Sequence, residues 1–211
     1  MSFHGANSYQ WPLNQHKQKR YDRDAKYDKY GDRDEMEAEI EKEAIMLCNA
    51  KKLERIVGFK KYFSFMKLEY QVPVYFEGGL YPSALHAYYA AKSQEQTVRK
   101  RFQRMPMLKD MRELARTLIE PEDWKLRRLG IMEIINRDKF RRNKELKDKL
   151  LTTMERELIN DITFELESGE VLDYMTDFWG VINNQGQNQL GRILEKIRRD
   201  CREGNELDRW V

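Results

Sequence analysis

Few side chains in this 211-residue chain have the type and spacing to do chemistry. Lys92 follows Tyr88 and Tyr89 by four and three positions, so on a helix its amine lies beside two aromatic rings. His86 sits in the same segment, and the other two histidines, His4 and His16, lie far upstream in a charged tail. A histidine triad or a histidine metal site therefore lacks partners. Trp124 and Trp179 suit either the wall of a binding site or a core. Asp177 and Asn188 suit either ligand contact or capping of a turn. There is no Gly-rich phosphate loop, no Gly-x-Ser-x-Gly and no His-x-x-x-His. Cys48 and Cys201 are too few for a disulfide framework or a four-cysteine zinc site. The residues call for no metal and no cofactor.

The composition narrows the class. Lys and Arg number 39 against 36 Asp and Glu, a net charge of +3. That balance argues against a polyanion as the main partner. Basic runs such as Arg99-Lys100-Arg101 and Arg141-Arg142 are flanked by acids, which reads as a solvated face rather than a nucleic-acid surface. No apolar run approaches the roughly 18 residues of a membrane span, and the first twenty residues lack the apolar core of a secretory signal. A cytoplasmic, intracellular protein is the expectation.

These residues must be positioned by a domain, which the apolar pattern places at 58–204. Residues 72–76 read as a short strand, with Glu77-Gly78-Gly79 as its turn. Pro82 and Ser83 open a helix expected to run to about residue 96. Met107, Met111, Leu114 and Leu118 mark a second helix; Trp124, Met132, Ile135 and Phe140 a third; Leu146, Leu150 and Met154 a fourth. Residues 158–166 suggest another strand, and Leu190, Ile193, Leu194 and Ile197 a last helix. The fold class is α+β, a compact and mainly helical domain with a few short strands.

Residues 1–57 form an N-terminal extension, and 205–211 a short tail. From His16 to Glu43 charges alternate around Tyr21, Tyr27 and Tyr30 with almost no aliphatic residue. Such a segment buries too little apolar area to order alone. Its mixed charges and tyrosines suit a protein surface, so the arm is expected to dock on a protein partner. Met36, Ile40, Ala44 and Leu47 predict a helix over about 34–56, acidic at its start and basic at its end.

Four segments in order carry a resemblance. They are Tyr81-Pro82-Ser83-Ala84-Leu85-His86-Ala87-Tyr88-Tyr89-Ala90-Ala91-Lys92; Trp124 with Met132 and Lys139-Phe140; Leu146 with Leu150-Leu151-Thr152-Thr153; and Asp177-Phe178-Trp179-Gly180 followed by Asn188, Leu190-Gly191 and Ile197-Arg198. Together they resemble the NADAR (YbiA-like) family of N-glycosidases over about 140 residues. The resemblance implies a pocket for a nucleotide-linked ribose, of ADP-ribosyl or phosphoribosyl type. It places Lys92 where an amine attacks or stabilises an anomeric centre. It also places His86, Trp124, Trp179 and Asn188 in substrate binding, and Asp177 at the family's later acid.

The departures lie at the acids. Leu85 stands where the family pattern has its helix glutamate, and Asn160 where it has a second one. Asp177 is one residue closer to its Trp-Gly than in the pattern. The entry motif is Phe63-Ser64-Phe65-Met66, without its asparagine, and about ten residues near Glu165 to Tyr174 are inserted. Losing a general acid–base group costs about a hundred- to ten-thousand-fold in rate. The expectation is a catalytically impaired protein that acts as a binding or structural subunit of a larger assembly through its arm. The alternative is an active N-glycosidase using Lys92, with Asp177 or Glu157 replacing the lost glutamate.

Overall fold

The computed structural model describes residues 54–167 and 176–205, together with positions 42 and 207. The arm, nearly all of the expected 34–56 helix, most of the inserted segment and most of the tail lie outside the described residues. Within them the elements run β1 (Arg55–Val57), a 3-10 helix (Lys61–Met66), β2 (Val74–Phe76), β3 (Gly79–Tyr81), α1 (Ala84–Ala90), α2 (Gln96–Arg104), α3 (Leu108–Arg116), α4 (Trp124–Arg142), α5 (Lys144–Thr152), β4 (Glu157–Ile159), α6 (Thr163–Glu167) and α7 (Gln189–Arg202). The domain is mainly helical with short strands, as the apolar periods require. No described helix is long and apolar enough to cross a membrane.

The strands form two pairs. β1 lies parallel to β4 with Ile56 opposite Leu158, and both side chains are buried. Arg55 and Glu157, outside that pair, join in an ion pair of 3.0 Å. β2 and β3 form an antiparallel hairpin with Val74 opposite Tyr81. Its turn residues Glu77 and Gly78 both have positive φ, as a two-residue hairpin of this twist requires.

α4 is the central element, packing on β2, α1, α5 and α7. Its middle buries four consecutive polar residues, Asn136, Arg137, Asp138 and Lys139. Asp138 accepts the Tyr75 backbone N–H at 2.6 Å and pairs with Arg141 and Arg142 at 2.7 and 3.1 Å. Lys139 donates to the Lys67 carbonyl at 2.7 Å, and burial pushes its pKa down to about 7. Arg137 reaches Glu133 at 2.9 Å and Asp200 at 2.5 Å, tying α4 to α7.

The structure differs from the sequence expectations in four places. Residues 55 and 56, assigned by periodicity to the end of the 34–56 helix, belong to β1, which pairs with β4. The helix expected to reach residue 96 stops at Ala90: the Lys92 and Ser93 N–H groups bond to the Tyr89 and Ala90 carbonyls in tight i to i−3 turns. A separate helix, α2, then follows. Its surface charges hide the single fully buried residue, Phe102, that docks it. The strand expected over 158–166 ends at Ile159, because the Asp161 carboxylate accepts the Thr163 N–H at 3.0 Å and hydroxyl at 2.7 Å and starts α6.

Close approach of α7 to β4 explains one glycine of the sequence motifs. A methyl group at Gly191 would meet the Leu158 carbonyl oxygen and the Asn188 amide far inside contact distance. Overpacking of this kind costs about 1–3 kcal/mol. Gly191→Ala should lower the thermal midpoint by several degrees in a circular-dichroism melt. An unchanged midpoint would mean that α7 shifts freely on β4.

Candidate functional site

The site grows from the end of α1. All seven residues of that helix are buried, and Lys92 sits on the tight turn that closes it. Its side chain is only 8% exposed. The amine lies 5.5 Å from the ring centres of Tyr89 and Trp124 and 6.0 Å from that of Tyr88, within cation–π range. Glu120, on the loop between α3 and α4, brings its Oε1 to 3.4 Å from the amine. The glutamate is 48% exposed, so solvent screens the pair and it adds little to stability. Chemically it places a carboxylate and an amine side by side at the edge of a buried aromatic cluster, whose Tyr88, Tyr89 and Trp124 are at most 2% exposed.

Tyr88 extends that surface. Its ring lies 5.2 Å from Trp124 and 5.8 Å from Trp179, edge-on to the latter. Trp179 is held through its backbone: its carbonyl accepts the Leu190 N–H at 3.1 Å and the Asn160 side-chain amide at 3.4 Å. Phe178 packs edge-on against Trp179 at 4.8 Å. Over Phe178 lies the Arg128 guanidinium, 3.7 Å from the ring centre and 6.0 Å from that of Trp179. Arg128 follows Trp124 by one turn of α4, on the same face. A continuous aromatic band thus runs from Lys92 at one end to Arg128 at the other.

The structure brings Lys92, Trp124 and Trp179 together through Tyr88. His86 makes a different contact: its Nδ1 lies 2.7 Å from the Ser83 hydroxyl, and its buried Nε2 has no side-chain hydrogen-bond partner among the described residues. Burial pushes its pKa down from 6.5 to about 4, against a smaller upward pull from the Met105 backbone. Asn188, in the left-handed conformation at φ 50°, spends its amide on backbone, accepting from the Asn160 N–H at 3.0 Å and donating to the Leu158 carbonyl at 2.8 Å. The Asp177 side chain is exposed and makes no ion pair among the described residues, while its carbonyl accepts the Gln187 N–H. Leu85 is fully buried. Glu157 pairs with Arg55 and lines a cleft of about 260 Å³ with Glu155, Glu195, Arg198, Arg199 and Arg202, a lining that includes neither Lys92 nor the tryptophans.

Sequence reasoning missed Glu120 and Arg128. Arg128 had a signal, its helical spacing from Trp124. Glu120 had none, because it stands 28 residues from Lys92 and only the chain's return path joins them.

The comparisons agree with this architecture. The NADAR domain model matches residues 54–202, and the chain belongs to that family. Among solved structures it is similar to the NMR structure of the E. coli protein YbiA, at 19% identity and a TM-score of 0.59, over 72% of this chain and 88% of that one. At that identity the likeness is one of fold. No curated protein matches the sequence.

The buried neutral His86 makes stability depend on pH. Between pH 6.5 and about 4 the unfolded chain binds a proton that the folded chain does not. Stability should therefore fall as pH drops through that window, by up to about 1.4 kcal/mol per unit from this group. Urea titrations at pH 7.0, 5.5 and 4.5 should show a shallower fall in His86→Gln. An identical slope in the variant would assign the effect to other groups.

Proposed function

We propose that the domain hydrolyses the N-glycosidic bond of a nucleotide-linked ribose, with Lys92 at the anomeric carbon and Glu120 as its carboxylate. The observation that carries this reading is the 3.4 Å contact between the Lys92 amine and Glu120 Oε1 beside Trp124. The reaction needs water oxygen to bond to the anomeric carbon while the carbon–nitrogen bond breaks. The bonding pair leaves with the nitrogen, and the proton from water ends on it. A carboxylate at this position can take that proton and pass it on. The rings of Tyr88, Tyr89, Trp124 and Trp179 are the buried backing of the pair, each at most 2% exposed, and Glu120 is its open side. Family membership supports a substrate of the ADP-ribosyl or phosphoribosyl type.

The test is incubation with an ADP-ribosylated nucleotide and with phosphoribosyl-pyrimidine intermediates, following free base by chromatography. Lys92→Ala should abolish release, and Glu120→Gln should slow it by about a hundred- to ten-thousand-fold. Release that is indifferent to Lys92 would sink the proposal.

A second reading has its own support. The two positions where the family pattern carries glutamates here serve structure: Leu85 is buried in the core, and the Asn160 amide braces Trp179. On that reading the domain binds its ligand without turnover and acts as a subunit of a larger assembly. The charged arm, with Tyr21, Tyr27 and Tyr30, would supply the contact to a protein partner. Limited proteolysis distinguishes the arm's role: residues 16–45 should be cut in the isolated protein and protected by the partner. Protection in the isolated protein would remove the motive for docking.

A further inference from the structure

We infer that the cleft of about 260 Å³ between α7 and the turn into β4 is a second binding site, separate from Lys92, where Arg198 backed by Arg156 holds a small oxyanion. The lining combines Glu155, Glu157 and Glu195 with Arg198, Arg199 and Arg202. Its acids are already engaged. Glu155 pairs with Arg202, Glu157 pairs with Arg55 at 3.0 Å, and Glu195 accepts the Leu158 backbone N–H at 2.7 Å. Two buried arginines are left over. Arg198 is 5% exposed and Arg156 8%, and their guanidinium groups converge on Thr153. Arg198 donates to its hydroxyl at 2.8 Å and Arg156 to its carbonyl at 3.2 Å. Neither makes an ion pair among the described residues, and the buried Arg156 Nε has no hydrogen-bond partner there.

Like charges held side by side away from water are costly unless a counter-charge joins them. Burial pushes the Arg198 pKa down, Glu195 pulls it up, and the positive charge of Arg156 opposes that pull. An oxyanion in the cleft supplies the missing charge and accepts from the planar fork of Arg198 with two oxygens at once. A neutral ligand would leave the repulsion in place. The cleft is smaller than the roughly 300–1,000 Å³ of sites for drug-sized ligands, so its occupant is small. Phosphate and a short carboxylic acid share this chemistry. The lining includes neither Lys92 nor the tryptophans, so the anion is not part of the proposed substrate.

The test is isothermal titration of the full chain with inorganic phosphate and with malonate, at ionic strength held constant with sodium chloride. Wild type should bind at least one of them saturably, and the tighter of the two tells an inorganic anion from an organic acid. Arg198→Lys keeps a charge but loses the fork, and it should weaken binding by about ten-fold, the scale of a charge-assisted hydrogen bond. Where that variant does not fold, Arg199→Ala carries the test, because Arg199 is exposed; its loss should be about three-fold, the scale of an exposed ion pair. Lys92→Ala should leave the affinity unchanged. Absence of saturable binding by either anion would overturn the assignment, as would full affinity in folded Arg198→Lys or lost affinity in Lys92→Ala. Anion binding without any release of base would remove the hydrolase reading and leave this one standing.

Discussion

The buried polar stretch in the middle of α4 is the constraint on which the rest of the domain depends. Asp138 is fully buried, and removing it from water is costly unless each oxygen finds a partner. It finds them in the Tyr75 N–H and in Arg141 and Arg142, which locks the β2–β3 hairpin to the helix. Lys139, equally buried, is satisfied by the Lys67 carbonyl and so fixes the segment that follows the 3-10 helix. Arg137 does the same for α7 through Asp200. Three separate parts of the chain are registered against one helical turn. Such contacts specify one arrangement more than they add stability, since the desolvation of each charge offsets most of its attraction.

The site inherits that register. With α4 fixed, its first turns carry Trp124 and Arg128 to defined places, and α1 brings Tyr88 and Lys92 against them. The turn after the insertion is anchored separately. Asn188 and Asn160 clamp it to β4, and Gly180 lets it approach, since a side chain there would collide with the Asn160 carbonyl. Trp179 is thereby held against Tyr88 from the far side. The aromatic band is the meeting line of two independently braced units, α1 with α4 and the Trp179 turn with β4.

Leu85 and Asn160 both serve this packing. Leu85 is buried in the core, and the Asn160 side-chain amide reaches the Trp179 carbonyl at 3.4 Å. The amine at Lys92 takes its aromatic surroundings from Tyr88, Tyr89 and Trp124. The carboxylate beside that amine comes from Glu120 on the α3–α4 loop.

Much of the architecture was legible from the residue order. Apolar spacing of 3.6 places α3, α5 and α7, since each buries one stripe and the stripe is written locally, whereas α4 is buried on all sides over 135–140. Gly191 and Gly180 stand in the motifs because backbone passes too close for any side chain. Local pattern failed where a different force decided the outcome. α2 is held by one phenylalanine amid arginines, β1 exists because a partner strand 100 residues later pairs with it, and α6 begins where a single aspartate caps it. The sequence by itself determined the family, the helical core and Lys92 among aromatic residues, because each is recorded in short-range spacing. Only the tertiary structure decided which charge stands beside that lysine and which rings pack around it. Those pairings depend on distance through space between residues remote along the chain, and no local period encodes it.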